Sequence, residues 1–150
     1  MSFAWLDSVT LAEALLQARI TLVPEEACCR AAISRVYYAV YGVAHTDARE
    51  HEGLQLPTTG DAHQGVIMHY FRGPTPLHRA IGDSLRQLRS VRNRADDDDQ
   101  FDHAVARAGF VVQRARTLMT QLQALTPLSP PSADAGEPVG TTDAPQDTEA

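Results

Sequence analysis

From Phe101 to Leu122 the chain places an apolar or small residue at alternating steps of four and three: Phe101, Val105, Ala108, Val112, Ala115, Met119 and Leu122. That spacing keeps to one face of a 3.6-residue helix, whereas a strand would send alternate residues to opposite faces. Such a stripe must be covered, and near-antiparallel helices cover it well. This feature predicts an all-α fold, and no other segment alternates as a strand.

The earlier segments read the same way. A first helix is predicted from Ser8 to Ile20, with Leu11, Leu15, Leu16 and Ala18 inward and Thr10 and Glu13 as a capping box. A second runs from Pro24 to His45, with Pro24 in its first turn and Glu25 and Glu26 where the helix dipole favours acids. Its core face is Cys29, Ala32, Ile33, Val36, Val40 and Val43. A second stripe carries Ala27, Ala31, Ser34, Tyr38, Tyr41 and His45, so this helix is expected to be covered on both sides, by a neighbouring helix, a partner subunit or a ligand. Residues 47–60 are polar, with Gly53, Pro57 and Gly60, and read as a loop. A short helix follows from Asp61, its N-cap, to Phe71. After the Gly73-Pro74-Thr75-Pro76 break, another runs from Pro76 to Asp96 with Leu77, Ile81, Ser84, Leu85, Leu88, Val91 and Ala95 inward. The carboxylates of Asp96–Asp99 repel one another, and a turn or a helix start is expected there. The expected whole is an up-and-down bundle of four to five helices over residues 1–125. Residues 126–150 form an acidic, Pro-rich tail expected to be disordered, because it has too little apolar surface to offset its ordering entropy.

Several function classes are excluded by what is missing. There is no apolar run of membrane-spanning length. MSFAWLDSVT has no basic start or apolar core, so no secretory signal is read there and a cytoplasmic location is expected. Cys28 and Cys29 are adjacent, too close for an ordinary disulfide on a helix, and read as small buried apolar residues. His63 and His69 are not at metal-ligand spacing, the aspartate run lacks the Gly and Glu of an EF-hand loop, and no phosphate-binding glycine loop or nucleophile elbow is present. Neither metal nor cofactor is expected.

Charge is unevenly placed. All 13 basic residues are arginine. The tail holds five acids and no base, which leaves residues 1–125 with thirteen arginines against fourteen acids. Six arginines fall between Arg72 and Arg94. Arginine presents a planar fork suited to phosphate or carboxylate. The surface carrying Arg72, Arg79, Arg86, Arg89 and Arg94 reads either as a phosphate-contacting face or as a solvated face pairing with Asp83 and the aspartate run.

Two segments carry a family likeness. Arg30-Ala-Ala-Ile-Ser34-Arg35-Val-Tyr37-Tyr38-Ala-Val-Tyr41 is similar to the HEPN helix that reads S-R-x-Y-Y-A-x-[FY]-H-A. Leu85-Arg86-Gln-Leu-Arg89-Ser-Val-Arg92-Asn93-Arg-Ala-Asp96 resembles the later HEPN helix L-x-x-L-R-x-x-A-D-Y. The likeness spans about residues 10–123, and His63 stands where several relatives place a loop-to-helix histidine. It implies a helical bundle acting as a homodimer in a prokaryotic defence or toxin–antitoxin setting. Many members are metal-independent ribonucleases whose motif is an Arg, a polar residue, then a His four to six positions after the Arg. Arg92 and Asn93 match its start. Asp97 and Asp98 fill the window where the His belongs, and the next histidine is His103. The chain therefore resembles the branch with Ala-Asp-Tyr here, with Asp97 in place of the Tyr.

The candidates for catalysis are Arg92, Asn93 and Asp97, with His103 and His45 as further sources of a base. Those for binding are Ser34, Arg35, Tyr38, Arg86, Arg89 and Asp96. Arg92 falls near the buried face of its helix and needs a polar partner there. Two roles are open to it: a brace paired with Asp96 one turn later, or a grip on phosphate. The corresponding functions are an RNA-binding or RNA-cleaving module, and a non-catalytic subunit that docks a nucleotidyltransferase-type or other protein partner.

Overall fold

The computed structural model describes residues 4–17, 24–58 and 61–126. Those residues form five helices and no strand: α1 (Trp5–Gln17), α2 (Glu25–Glu50), α3 (Ala62–Phe71), α4 (Pro76–Asp97) and α5 (Ala104–Leu125). The tail expected to be disordered lies, beyond Thr126, outside the described residues, as does Ala18. No helix of the described residues is long and apolar enough to cross a membrane.

α2 is the axis of the bundle and touches every other helix. Its contacts fix the directions. The Trp5 indole lies over Gly42, so α1 runs against α2. Arg30 reaches the end of α4, while Glu52, just past α2, meets His78 near the start of α4, so α4 is also antiparallel to α2. Phe101, just before α5, lies under Arg30 near the start of α2, and Thr126, just after it, donates to Asp47 near the end of α2, so α5 runs with α2 and against α4. The four long helices thus alternate up and down. α3 is the exception. Past α2 the chain turns back, with Leu54 N donating to Ala48 O, and α3 runs in the same direction as α2, with His63 beside Tyr37 and Tyr70 beside Ala44.

The core is built from the predicted α2 face, with Ala32, Ile33, Val36 and Val40 fully buried, joined by Ile81, Leu85 and Leu88 of α4 and Ala108, Val111, Ala115, Leu118 and Leu122 of α5. Cys28 and Cys29 are buried free thiols, as expected. The many alanines let the helices approach closely, and each large side chain removed from water contributes about 1.5–3 kcal/mol.

Several helix faces and ends differ from the sequence reading. On α1 the buried residues are Val9 and Ala12, while Leu11 is exposed. The reason is Trp5, whose packing on Gly42 sets the helix rotation. Thr10 lies inside α1, where its hydroxyl donates to Leu6 O, and caps nothing. Pro24 is the N-cap of α2, not a first-turn residue, and α2 continues five residues past His45, to Glu50. On α5, Val105 is exposed and Val111 and Leu118 take the deep positions given to Val112 and Met119. A helix wedged between α2 and α4 centres its apolar face between two neighbours, which shifts the stripe by a residue. Asp96 and Asp97 end α4 rather than starting a helix. Carboxylates are unfavourable at a helix C-terminus. Here Arg30 offsets them by donating to Ala95 O at 2.7 Å and Asp98 O at 2.8 Å.

Two polar networks hold α3 in its place. The buried Tyr70 hydroxyl donates to Ala44 O and to Oδ2 of buried Asp47 at 2.8 Å. Asp47 also accepts from Thr126 and meets His51. Glu52 bridges His69 and His78, at 2.5 and 3.0 Å, which clamps the returning loop onto α3 and α4.

Candidate functional site

Arg92 sits on α4 where it faces the second stripe of α2. Its guanidinium carbon is 5.1 Å from the Tyr37 ring centroid and 5.2 Å from that of Tyr38. A cation over aromatic faces is attracted by their quadrupoles. Nη1 lies 3.4 Å from Asp96 Oδ2, and the side chain is 16% exposed. Ser34 Oγ, on α2, lies 3.5 Å from the same carboxylate oxygen. The expected Arg92–Asp96 pair is therefore present, but it uses only part of the guanidinium. Nε of Arg92 is buried with no hydrogen-bond partner among the described residues, and the same holds for Nε of Arg89.

Arg89, one turn earlier, is tied to the start of α3. It pairs with Asp61 and donates to Gln64 Oε1 at 3.2 Å. Asp61 is the N-cap expected from the sequence and accepts from Gln64 N at 3.1 Å. The Arg89 guanidinium holds the Asp61 carboxyl below its ordinary range. This arrangement fixes the first turn of α3, and with it His63.

His63 completes the cluster. Its Nδ1 is 2.7 Å from the Tyr37 hydroxyl, and its ring stacks on Tyr41 with centroids 3.9 Å apart. Burial lowers its pKa, and Arg89 and Arg92 lower it further, so the imidazole is neutral at pH 7. Burial pushes the Tyr37 hydroxyl up to about 12, against the pull of the same two arginines. Tyr41 is raised for the same reason, burial first. The result is a neutral imidazole and two neutral phenols beside two guanidiniums, with Tyr38 38% exposed at the rim. Such a site can attract an anion, stack a planar group and accept or donate one proton.

The second stripe of α2 is thus covered in part by α3 and α4, through His63 and Arg92. Of the sequence candidates, Arg92, Asp96, Ser34, Tyr38 and Arg89 come together here. Asn93 is half-buried, and its side chain makes no hydrogen bond to another described residue. Asp97 and Arg35 are exposed and likewise unbonded. Arg86 pairs with Asp83 and lies over Phe71, away from the cluster. His103 is the exposed N-cap of α5, in the left-handed conformation, and has no contact with Arg92. Arg94 pairs with Asp98, so the solvated-face reading holds for Arg86 and Arg94.

From the sequence, His63 and Tyr37 stand out only through the family likeness, and Asp61 only as a cap. Asp61 was legible as a cap, and a cap places the residue two positions later on the first turn. Nothing in the spacing ties that turn to Tyr37. Among the described residues no group of three metal-ligating side chains could hold an ion. Comparison with protein-family models, curated proteins and solved structures finds no match.

Proposed function

We propose that this chain is a HEPN-like protein whose Arg92–His63 cluster grips and cleaves an RNA phosphodiester. One observation carries the reading: a partly unpaired guanidinium lies against two tyrosine rings, one of them hydrogen-bonded to the His63 imidazole. Arg92 and Arg89 supply positive charge for the phosphate, and Tyr38 offers a rim surface on which a base stacks. His63 supplies the imidazole that the Arg92 helix lacks. With the Tyr37 hydroxyl oxygen accepting from Nδ1–H, Nε2 keeps its lone pair, the form that a general base requires. The 2′-oxygen then attacks phosphorus as its proton passes to Nε2. The bond to the 5′-oxygen breaks, and that oxygen takes a proton from water. The guanidiniums stabilise the charge that builds on the phosphoryl oxygens. The prokaryotic defence or toxin–antitoxin setting and the homodimer follow from the family resemblance alone.

Incubation of mixed cellular RNA with the full chain in chelator tests this. The wild type should cleave, Arg92→Ala should lose binding and cleavage, and His63→Ala should bind but not cleave. Binding without cleavage by the wild type would reduce the site to RNA recognition. No binding at low salt would overturn the reading.

A second reading rests on different residues. Leu6 and Leu11 of α1 and Val105 and Phe110 of α5 are all more than half exposed, on helices joined by the Arg116–Glu13 pair. Exposed apolar side chains of this size suit a protein partner. Under that reading the chain is a non-catalytic subunit docking a nucleotidyltransferase-type or other protein, and Arg92 is a brace.

A further inference from the structure

The stripe of α2 that carries Tyr38 and Tyr41 does not stop at the cluster. It continues to His45, whose ring is 5.7 Å from Tyr41, and one turn later to Arg49. There the chain leaves α2 and folds back, with Leu54 N donating to Ala48 O at 2.8 Å. The fold-back opens a cleft of about 270 Å³ lined by His45, Thr46, Arg49, Glu50, Leu54 and Gln55.

The chemistry of this cleft matches that of the cluster. Arg86, Arg89, Arg92 and Arg94 of α4 each hold an acid. The Arg49 side chain is exposed and forms no hydrogen bond or ion pair among the described residues, although Glu50 is its neighbour. His45 is half-buried, and its ring continues the row of rings that runs from Tyr38 through His63 and Tyr41. Burial, and Arg49 after it, lower the pKa of that ring and so favour its neutral form. A free cation, a neutral planar ring, a carboxylate and an amide thus line one recess.

We propose that this cleft is a second nucleotide subsite of the same site, resting on the reading of the Arg92–His63 cluster as an RNA site. Arg49 takes a backbone phosphate, His45 stacks on a base, and Glu50 accepts a hydrogen bond from a ribose hydroxyl. The register follows from the helix. Tyr38 and Arg49 are about 16 Å apart along α2 at ~1.5 Å per residue. A stacked strand advances roughly 3.4 Å per nucleotide, so about five nucleotides separate the two subsites. A dinucleotide held at Arg92 does not reach the cleft, and an octanucleotide spans both.

The test uses the full chain with two probes, diuridylate and fluorescein-labelled octauridylate, at low salt. In amide-detected NMR titrations, diuridylate should shift signals around Arg92 and His63, and octauridylate should shift those and residues 45–55. Arg49→Ala, an exposed and unpaired change, should weaken octamer binding about five- to tenfold and lower the slope of log K against log salt by about one. It should leave the diuridylate response unchanged. An octamer affinity within about twofold of wild type, or an equal loss for both probes, overturns the subsite and leaves the Arg92 site standing. A wild type that binds neither probe overturns the RNA reading, and the subsite with it.

Discussion

The imidazole of His63 and the phenol of Tyr41 stack with centroids 3.9 Å apart and planes inclined by 20°. The stack removes His63 from water, while Arg89 and Arg92 oppose a second positive charge there. His63 should therefore titrate below the ordinary histidine value of about 6.5 in an NMR pH series. Arg92→Ala should move it back toward that value, with burial retaining part of the depression. A depressed histidine pKa means the unfolded chain binds the proton more readily. Its contribution to stability is intact above about pH 6.5 and is lost as pH falls from there through the folded pKa. A titration at or above 6.5 in the folded protein would contradict this account of the cluster.

Arg92 links α4 to α2 through two aromatic faces and braces its own last turn through Asp96. Arg92→Ala should lower stability by about 1–2 kcal/mol in urea unfolding, mainly through the lost cation–aromatic contacts, since a partly exposed ion pair contributes little. Arg92→Lys should recover part of that loss. If Arg92→Ala instead abolishes folding, Arg92 acts chiefly as a brace and the interaction-subunit reading gains.

Gly42 has no room for a side chain. A Cβ there would overlap the Trp5 indole. Gly42→Ala should destabilise the protein by about 1–3 kcal/mol, the usual cost of overpacking. Combined with Trp5→Leu, it should cost clearly less than the sum of the two single changes, because the smaller aliphatic side chain vacates the space. Strict additivity in thermal unfolding would show that Trp5 does not set the rotation of α1.

Tyr70 anchors the far end of α3 to buried Asp47. The pKa of its hydroxyl is raised well above the ordinary phenol range, by burial and by the Asp47 carboxylate that accepts its hydrogen bond. Tyr70→Phe removes that donor and should cost about 1–3 kcal/mol. Because the same anchor holds α3 beside α2, amide exchange should quicken over residues 62–71 more than over α5. Equal changes in both helices would mean that the whole bundle loosens instead.

The amino-acid sequence by itself determined the helical class, because the steps of four and three suit one backbone geometry and no other. It also determined the core face of α2, the Asp61 cap and the proximity of Arg92 and Asp96, all of which are local in the chain. Rotation was less legible. Val111 and Leu118 are buried in place of Val112 and Met119 because α5 faces two neighbours, and a periodic pattern cannot say how many helices will cover it. The candidate site was legible only in pieces. Ser34, Tyr38, Arg89, Arg92 and Asp96 lie on two helices whose patterns could be read, but His63 enters from a third. Its place depends on the returning loop, clamped by Glu52 between His69 and His78, and on Tyr70 docking against Asp47. Those contacts join residues remote in the chain, and no periodicity encodes them. Local spacing fixes which face a side chain takes on its own helix, and only the packing of helices decides which side chain from elsewhere it meets.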